Sequence, residues 1–118
     1  AMGAAAVGEL MGGTPKMSLD AGSIILQNVL GLVCDPVAGL VEIPCAKRNA
    51  QGAITALCTA DMVMAGVEAK IPFDDAVEAM YKVGKSLPSA LRETAMGGVA
   101  ATKEGLRLKE KVFGKNNE

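Results

Sequence analysis

Histidine and tryptophan are absent from the 118 residues, and only one tyrosine and two phenylalanines occur. Without histidine the chain has no usual general base, no usual zinc ligand and no Ser–His or Cys–His nucleophile pair. Any chemistry must therefore use cysteine, carboxylate, lysine, arginine, backbone groups or a cofactor. The scarcity of aromatic residues implies a core of Ala, Val, Leu, Ile and Met, which suits closely packed helices better than a β-sandwich.

The chain also lacks a charge excess and a long apolar segment. Its net charge is −1, whereas a nucleic-acid-binding domain is usually strongly basic. The longest uncharged apolar run, residues 21–34, contains Gln27 and Asn28 and is too short and too polar for a membrane span. Residues 1–6 lack the basic region of a secretory signal. We therefore expect a cytoplasmic protein with neither nucleic acid nor a membrane as a partner.

Hydrophobic spacing predicts an all-α fold, a compact bundle of about four to six helices around a Pro/Gly-rich cysteine loop. Ser18 is the expected N-cap of the second helix and Thr102 that of the last. The fourth helix is expected to bury one face formed by Phe73, Ala76, Val77, Met80 and Tyr81. The predicted helices cover residues 2–11, 18 to about 32, 46–66, 73–85, a short segment from 88 to about 93, and 103–113.

Cys34 and Cys45 stand at the two ends of a loop stiffened by Pro36, Gly39 and Pro44. Thiolates are preferred ligands of iron–sulfur clusters, and a rigid loop can direct two of them at one inorganic core. By spacing alone, two buried cysteines acting as small hydrophobic residues are the favoured interpretation. The odd number of cysteines argues against a disulfide framework, although a redox disulfide between Cys34 and Cys45 is a third possibility. Cys58 lies inside the third predicted helix and is expected to be a packing residue.

The segment CDPVAGLVEIPCAKRNA, residues 34–50, resembles the signature of the iron–sulfur L-serine dehydratases. The resemblance covers nearly the whole chain and includes residues 9–15, 80–81, 92–94 and 97–100. It implies a [4Fe–4S] cluster held by three cysteines, two of which correspond to Cys34 and Cys45. No residue here matches the third, so the first ligand is expected upstream of residue 1 and the cluster is expected to be absent or incomplete in this fragment. Ala38 departs from the family's usual glycine, which bears on the shape of the loop.

The resemblance implies a lyase that eliminates water from L-serine to give pyruvate and ammonia without pyridoxal phosphate. The cluster would act as a Lewis acid on the hydroxyl group. Asp35 is a candidate for a hydrogen bond next to a ligand, and an ordinary helix-ending or turn aspartate is the alternative. Arg48 and Asn49 are candidates for binding the substrate carboxylate, and a solvated helix start is the alternative. Arg92 is a further candidate, although a surface ion pair with Glu93 is an alternative. The catalytic base is not assigned.

Residues 1–118 are predicted to form a single domain, the C-terminal fragment of a catalytic α chain. The helical pattern starts at the first residue without a cap, which suggests a cut chain that is inactive by itself. The polar tail after Phe113 suggests the two-chain type of this family, which needs a β subunit. The N-terminal part of the α chain and an oligomeric assembly are further expected partners. The alternative from another functional class is a non-catalytic helical binding or assembly module with unligated cysteines.

Overall fold

The computed structural model describes residues 1–114 and confirms the all-α prediction. Within those residues it has five α-helices, three short 3-10 turns and no β-strand. No helix in this part of the chain is long and apolar enough to cross a bilayer. Of the predicted polar tail, residues 114–118, the last four residues lie outside the described residues. The helices are α1 (Met2–Leu10), α2 (Pro15–Asn28), α3 (Cys45–Met64), α4 (Phe73–Ser86) and α5 (Lys103–Phe113).

The start of α2 differs from the prediction. Thr14, not Ser18, is the N-cap, and its hydroxyl accepts a hydrogen bond from the Met17 N–H at 3.3 Å. Pro15 is the first helical residue, a position where the missing N–H of proline costs nothing and its fixed φ suits a helix. The Gly-Gly-Thr-Pro segment therefore both ends α1 and begins α2.

The other helix starts agree with the local signals. Thr102 caps α5 as predicted, since its hydroxyl accepts a hydrogen bond from the Gly105 N–H at 3.1 Å. The first turn of α4 carries Asp74 and Asp75, where negative charge is favoured by the helix dipole. The short helix predicted after Pro88 is a 3-10 turn at Ser89–Leu91.

The described chain divides into two compact units. The first unit consists of residues 1–31 and 50–86, and the second of residues 32–49 and 87–114. The division falls within α3, whose first residues belong to the second unit. That residues 1–118 are a single domain of a longer catalytic chain stays a prediction.

The first unit is built by packing α1 on α2 and α2 on α4. Close approach depends on small residues: a Cβ at Gly22 of α2 would lie 3.1 Å from the ring of Phe73. The buried hydroxyl of Ser23 donates a hydrogen bond to the Ile71 carbonyl at 2.7 Å and so fixes the chain before α4. The buried core consists of Ala4, Ala21, Ile24, Ile25, Val63 and Ala69.

Two burial predictions in this unit are wrong. On α4 only Ala76 is fully buried, while Val77 is 45% and Tyr81 is 64% exposed. Cys58 on α3 is exposed, so it does not pack in the core of this chain. In both helices the periodicity correctly predicts an apolar face. The described residues cover only a narrow stripe of that face, so the rest of it is exposed.

The second unit contains α5, the start of α3, the cysteine loop and the three 3-10 turns of the described chain. The turn Val37–Gly39 within the loop packs against α5, and so does the turn Gly98–Ala101. Gly97 directly precedes the Gly98–Ala101 turn, and Gly98 is its first residue. The loop has no α-helix before Cys45, as its prolines and glycine require.

Candidate metal centre

Cys34 is held by its backbone to the segment around Arg92. Its N–H donates to the Leu91 carbonyl at 2.9 Å, and its carbonyl accepts from the Glu93 N–H at 2.8 Å. The pair forms an isolated parallel bridge between Cys34 and Arg92. Because both backbone polar groups of Cys34 are used, its main chain is fixed while the residue itself is exposed.

Cys45 stands at the other end of the loop, as the first residue of α3. The loop is closed upon itself by a 2.8 Å hydrogen bond from the Val37 N–H to the Ile43 carbonyl, just before the cis Ile43–Pro44 peptide. The Arg48 N–H donates to the Pro44 carbonyl at 3.1 Å and starts the helix. A rigid turn and a helix start therefore define where Cys45 lies, and Cys45 is half-buried.

The surroundings of Cys34 raise the pKa of its thiol. Partial desolvation is the largest cause that raises the pKa of Cys34, and the negative charges of Glu93, Cys45 and Asp35 raise it further. The positive charge of Arg48 lowers that pKa, but by less. The thiol of Cys34 therefore favours its neutral form in the metal-free chain. Since a thiol binds metal as the thiolate, metal binding at Cys34 would release a proton.

Asp35 is the best-connected side chain of this unit. It is only 2% exposed. Its Oδ1 accepts a hydrogen bond from Arg48 Nη1 at 2.9 Å, and its Oδ2 accepts one from the Val99 N–H at 2.7 Å. Arg48 Nη1 also donates to the Val33 carbonyl at 2.8 Å. The loop, the first turn of α3 and the 98–101 turn therefore meet at one carboxylate.

The remaining candidates lie nearby or carry fewer contacts. The side chain of Arg48 is 29% exposed, and its Nη1 atom already donates hydrogen bonds to Val33 and Asp35. Only the other guanidinium nitrogens of Arg48 are therefore available to bind a substrate. Asn49 and Arg92 are exposed. Arg92 forms no ion pair with Glu93 within the described residues, so that alternative interpretation is wrong. The substrate-binding roles of Arg48, Asn49 and Arg92 stay predictions.

Glu93 and Val99 belong to this site although the sequence reasoning gave them no part in it. Glu93 is an exposed carboxylate with a left-handed φ of 66°, and its charge acts on Cys34. Val99 contributes only its backbone N–H, which no side-chain pattern could have revealed. The unusual φ of Glu93 is a property of the folded chain, and no glycine marks the position in the sequence.

The donor set suits an iron–sulfur group but is incomplete. Within residues 1–114 no cluster of three or more Cys, Asp or Glu is arranged to hold a metal ion. The two soft thiolates suit an iron–sulfur group or a zinc ion better than a hard cation. A group bound by Cys34 and Cys45 would require at least one further ligand from outside the described residues.

Comparison with known proteins yields a consistent family. A family model described as "Serine dehydratase alpha chain" matches residues 1–100. The chain is 58% identical over 113 residues to a probable L-serine dehydratase alpha chain of Bacillus subtilis, which covers 96% of this chain and 38% of the relative. It is 54% identical to that of Latilactobacillus sakei (98% and 56%) and to the L-serine dehydratase alpha chain of Peptoniphilus asaccharolyticus (92% and 37%). The chain thus spans between 37% and 56% of the length of these relatives.

Proposed function

The chain belongs to the serine dehydratase alpha-chain family, and from this premise we propose that it is part of an iron–sulfur L-serine dehydratase. The proposed reaction eliminates water from L-serine. The resulting aminoacrylate tautomerises to an imine, which takes up water to give pyruvate and ammonia. The observation that supports this proposal most directly is that Cys34 and Cys45 lie in the same unit, at the two ends of a loop that is closed by the Val37–Ile43 hydrogen bond.

We propose that Cys34 and Cys45 supply two of three thiolate ligands. A bound [4Fe–4S] cluster would supply a Lewis-acidic iron that polarises the serine hydroxyl, a poor leaving group. The residues of this chain would hold and orient the reactants. Cys34 and Cys45 release their protons on binding, and Arg48 offers its remaining guanidinium nitrogens to the substrate carboxylate. Asn49 and Arg92 are exposed on the same unit and are proposed as further substrate contacts.

The base that removes the Cα proton is not assigned to a residue of this chain. With no histidine in the sequence, it must be another residue type or belong to the rest of the enzyme. We propose that the N-terminal part of the α chain and a β subunit complete the active site, that the enzyme is an oligomer, and that the fragment alone is inactive.

The decisive experiment is anaerobic reconstitution of the full-length parent enzyme with iron and sulfide. Wild type and three cysteine variants are compared by iron and sulfide content and by the broad visible absorbance of a cluster. We expect Cys34→Ser and Cys45→Ser to abolish cluster uptake because each removes a thiolate ligand. Cys58→Ser is the matched control and is expected to retain the cluster, since Cys58 lies in the first unit, outside the loop. Iron content equal to wild type in Cys34→Ser and Cys45→Ser contradicts the ligand assignment.

Independence from pyridoxal phosphate is tested separately. A carbonyl reagent such as hydroxylamine reacts with the aldehyde of that cofactor, whereas an iron–sulfur site has no carbonyl group for it to attack. We expect serine dehydratase activity to withstand the reagent and to disappear on exposure to oxygen and an iron chelator. Inactivation by the carbonyl reagent alone, with the iron content unchanged, is the contrary result.

A further inference from the structure

We infer that Asp35 is a positioning residue, whose buried carboxylate sets the relative placement of Cys34 and Cys45. The inference rests on the proposed function, because it concerns the group that these cysteines are proposed to bind. Asp35 touches neither substrate nor metal in this inference. It acts through Arg48 and through the turn that begins at Gly98.

The first support is that the two carboxylate oxygens of Asp35 accept hydrogen bonds from two different segments. Oδ1 accepts from Arg48 Nη1 at 2.9 Å, and Oδ2 accepts from the Val99 N–H at 2.7 Å. Arg48 is three residues after Cys45 on α3, so the two share one face of the helix. Asp35 itself follows Cys34 directly. The hydrogen bond between Asp35 and Arg48 is thus a short path from one proposed ligand to the other.

The second support is the lack of space around the carboxylate. Asp35 is 2% exposed, and a Cβ placed on Gly98 would lie 2.6 Å from Asp35 Cβ and 2.7 Å from Asp35 Cγ. Such distances are prohibitive, so only glycine fits at this position. Gly98 also has a left-handed φ of 59°. The side chain is therefore held by packing as well as by hydrogen bonds, which is what a precise placement of its neighbours requires.

The third support is that, within residues 1–114, the hydrogen bonds between α3 and residues 33–35 all come from one atom, Arg48 Nη1. The backbone of Cys34 bonds to Leu91 and Glu93, which fixes it to the 91–93 segment and not to α3. Arg48 reaches the stretch around Cys34 through Val33 and Asp35, with the same Nη1 atom. If Asp35 loses its charge, this atom retains a neutral carbonyl partner, and the charge-assisted bond is lost.

The test uses the full-length enzyme, reconstituted anaerobically, with Asp35→Asn and Arg48→Met as separate variants and in combination. Asparagine has the shape of aspartate but one oxygen fewer, so it cannot accept both hydrogen bonds through oxygen. The measurements are the rate of iron loss to a chelator and the electron paramagnetic resonance spectrum of the dithionite-reduced protein. We expect each variant to lose iron about 10- to 100-fold faster than wild type, the range found for residues that orient metal ligands. We also expect an altered spectrum.

The double variant provides the sharpest criterion. If Asp35 acts through Arg48, Asp35→Asn combined with Arg48→Met increases the rate of iron loss by clearly less than the product of the two single effects, because both changes break the one hydrogen bond that the two residues share. Multiplying rate effects would show that the two residues act independently, and this result overturns the inference. Arg48 is partly exposed, so Arg48→Met serves as the test if Asp35→Asn fails to fold.

A stability-matched control separates positioning from general weakening of the fold. Ser23→Ala removes a buried hydrogen bond to Ile71 in the first unit and is expected to lower the thermal midpoint without changing the iron-loss rate. If Ser23→Ala accelerates iron loss as much as Asp35→Asn does, the effect is merely structural and the inference fails. If wild type itself binds no iron, the proposed function fails as well. If wild type binds iron, Cys34→Ser abolishes binding and Asp35→Asn behaves as wild type, only the inference fails.

Discussion

At the residue scale, the loop between Cys34 and Cys45 carries an unusual backbone conformation at Ala38. Ala38 has φ 58° and ψ 15°, a left-handed conformation that costs an L-residue with a side chain roughly 1–2 kcal/mol. The resemblance already marks this position, because the family usually has glycine there. The backbone at residue 38 therefore adopts a conformation that favours glycine, although this chain has alanine there.

We expect Ala38→Gly to stabilise the folded chain. The gain from relieving the left-handed conformation exceeds the entropy that glycine adds to the unfolded chain, so the free energy of unfolding should rise by about 0.5–1 kcal/mol. Chemical denaturation of the metal-free protein measures the change. Gly39→Ala is the matched control, since Gly39 has φ 72° with open space around its Cα and should lose about 1 kcal/mol. Destabilisation by Ala38→Gly would contradict the assigned conformation.

The sequence indicates the proposed ligand residues of the candidate site better than it indicates the residues that hold those ligands in place. Cys34 and Cys45 are conspicuous because they end a proline-containing loop, and a contact between Asp35 and Arg48 spans only 13 residues. The bond from Val99 to Asp35 spans 64 residues and uses a backbone N–H. No local pattern encodes such a contact, and the tight approach of Gly98 becomes evident only once the turn is folded.

At the element scale, helix boundaries were predictable wherever one residue decides them. Thr102 predicts the start of α5 correctly because capping is a local hydrogen bond. The prediction of Ser18 as the cap of α2 is wrong because Pro15 does not end a helix here but is the first residue of α2. The choice between these two roles of proline depends on whether the residue before it can cap, and Thr14 can.

We expect Thr102→Ala to destabilise the second unit through the start of α5. The hydroxyl of Thr102 accepts from the Gly105 N–H and donates to the Val99 carbonyl at 2.8 Å. Loss of this cap should reduce the free energy of unfolding by about 1 kcal/mol, measured by urea denaturation followed by far-UV circular dichroism. Thr102→Ser should restore most of it, because serine keeps the hydroxyl.

Thr55→Ala is the matched control for the cap. Thr55 donates its hydroxyl to the Gln51 carbonyl one turn earlier within α3, and alanine has the higher helix propensity. This variant should therefore be neutral or slightly stabilising. If Thr102→Ala and Thr55→Ala have the same effect, the capping hydrogen bond contributes nothing measurable to α5.

At the scale of the whole molecule, the fold class follows from composition but the buried surface does not. Helix-forming residues with few aromatics predict an all-α chain, and the structure has this class. Which apolar face is covered depends on partners that are distant in sequence. Ile54 is 70% and Leu57 is 55% exposed on α3, close to the exposed Cys58. The periodicity of α3 alone cannot distinguish this face from one buried in a core.

The exposed face of α3 predicts how the isolated 118-residue chain behaves in solution. Ile54, Leu57 and Cys58 lie on one side of the helix, at i, i+3 and i+4 spacing, and adjacent apolar side chains of this kind promote association. We expect concentration-dependent self-association of the metal-free chain under reducing conditions, measured by sedimentation velocity. Ile54→Gln combined with Leu57→Gln should shift the equilibrium towards the monomer by about tenfold or more, because two large side chains no longer gain from burial.

Tyr81→Gln removes a comparable exposed side chain from α4 and should leave the equilibrium nearly unchanged. An equal effect of Tyr81→Gln would mean that general surface hydrophobicity, and not the α3 face, drives association.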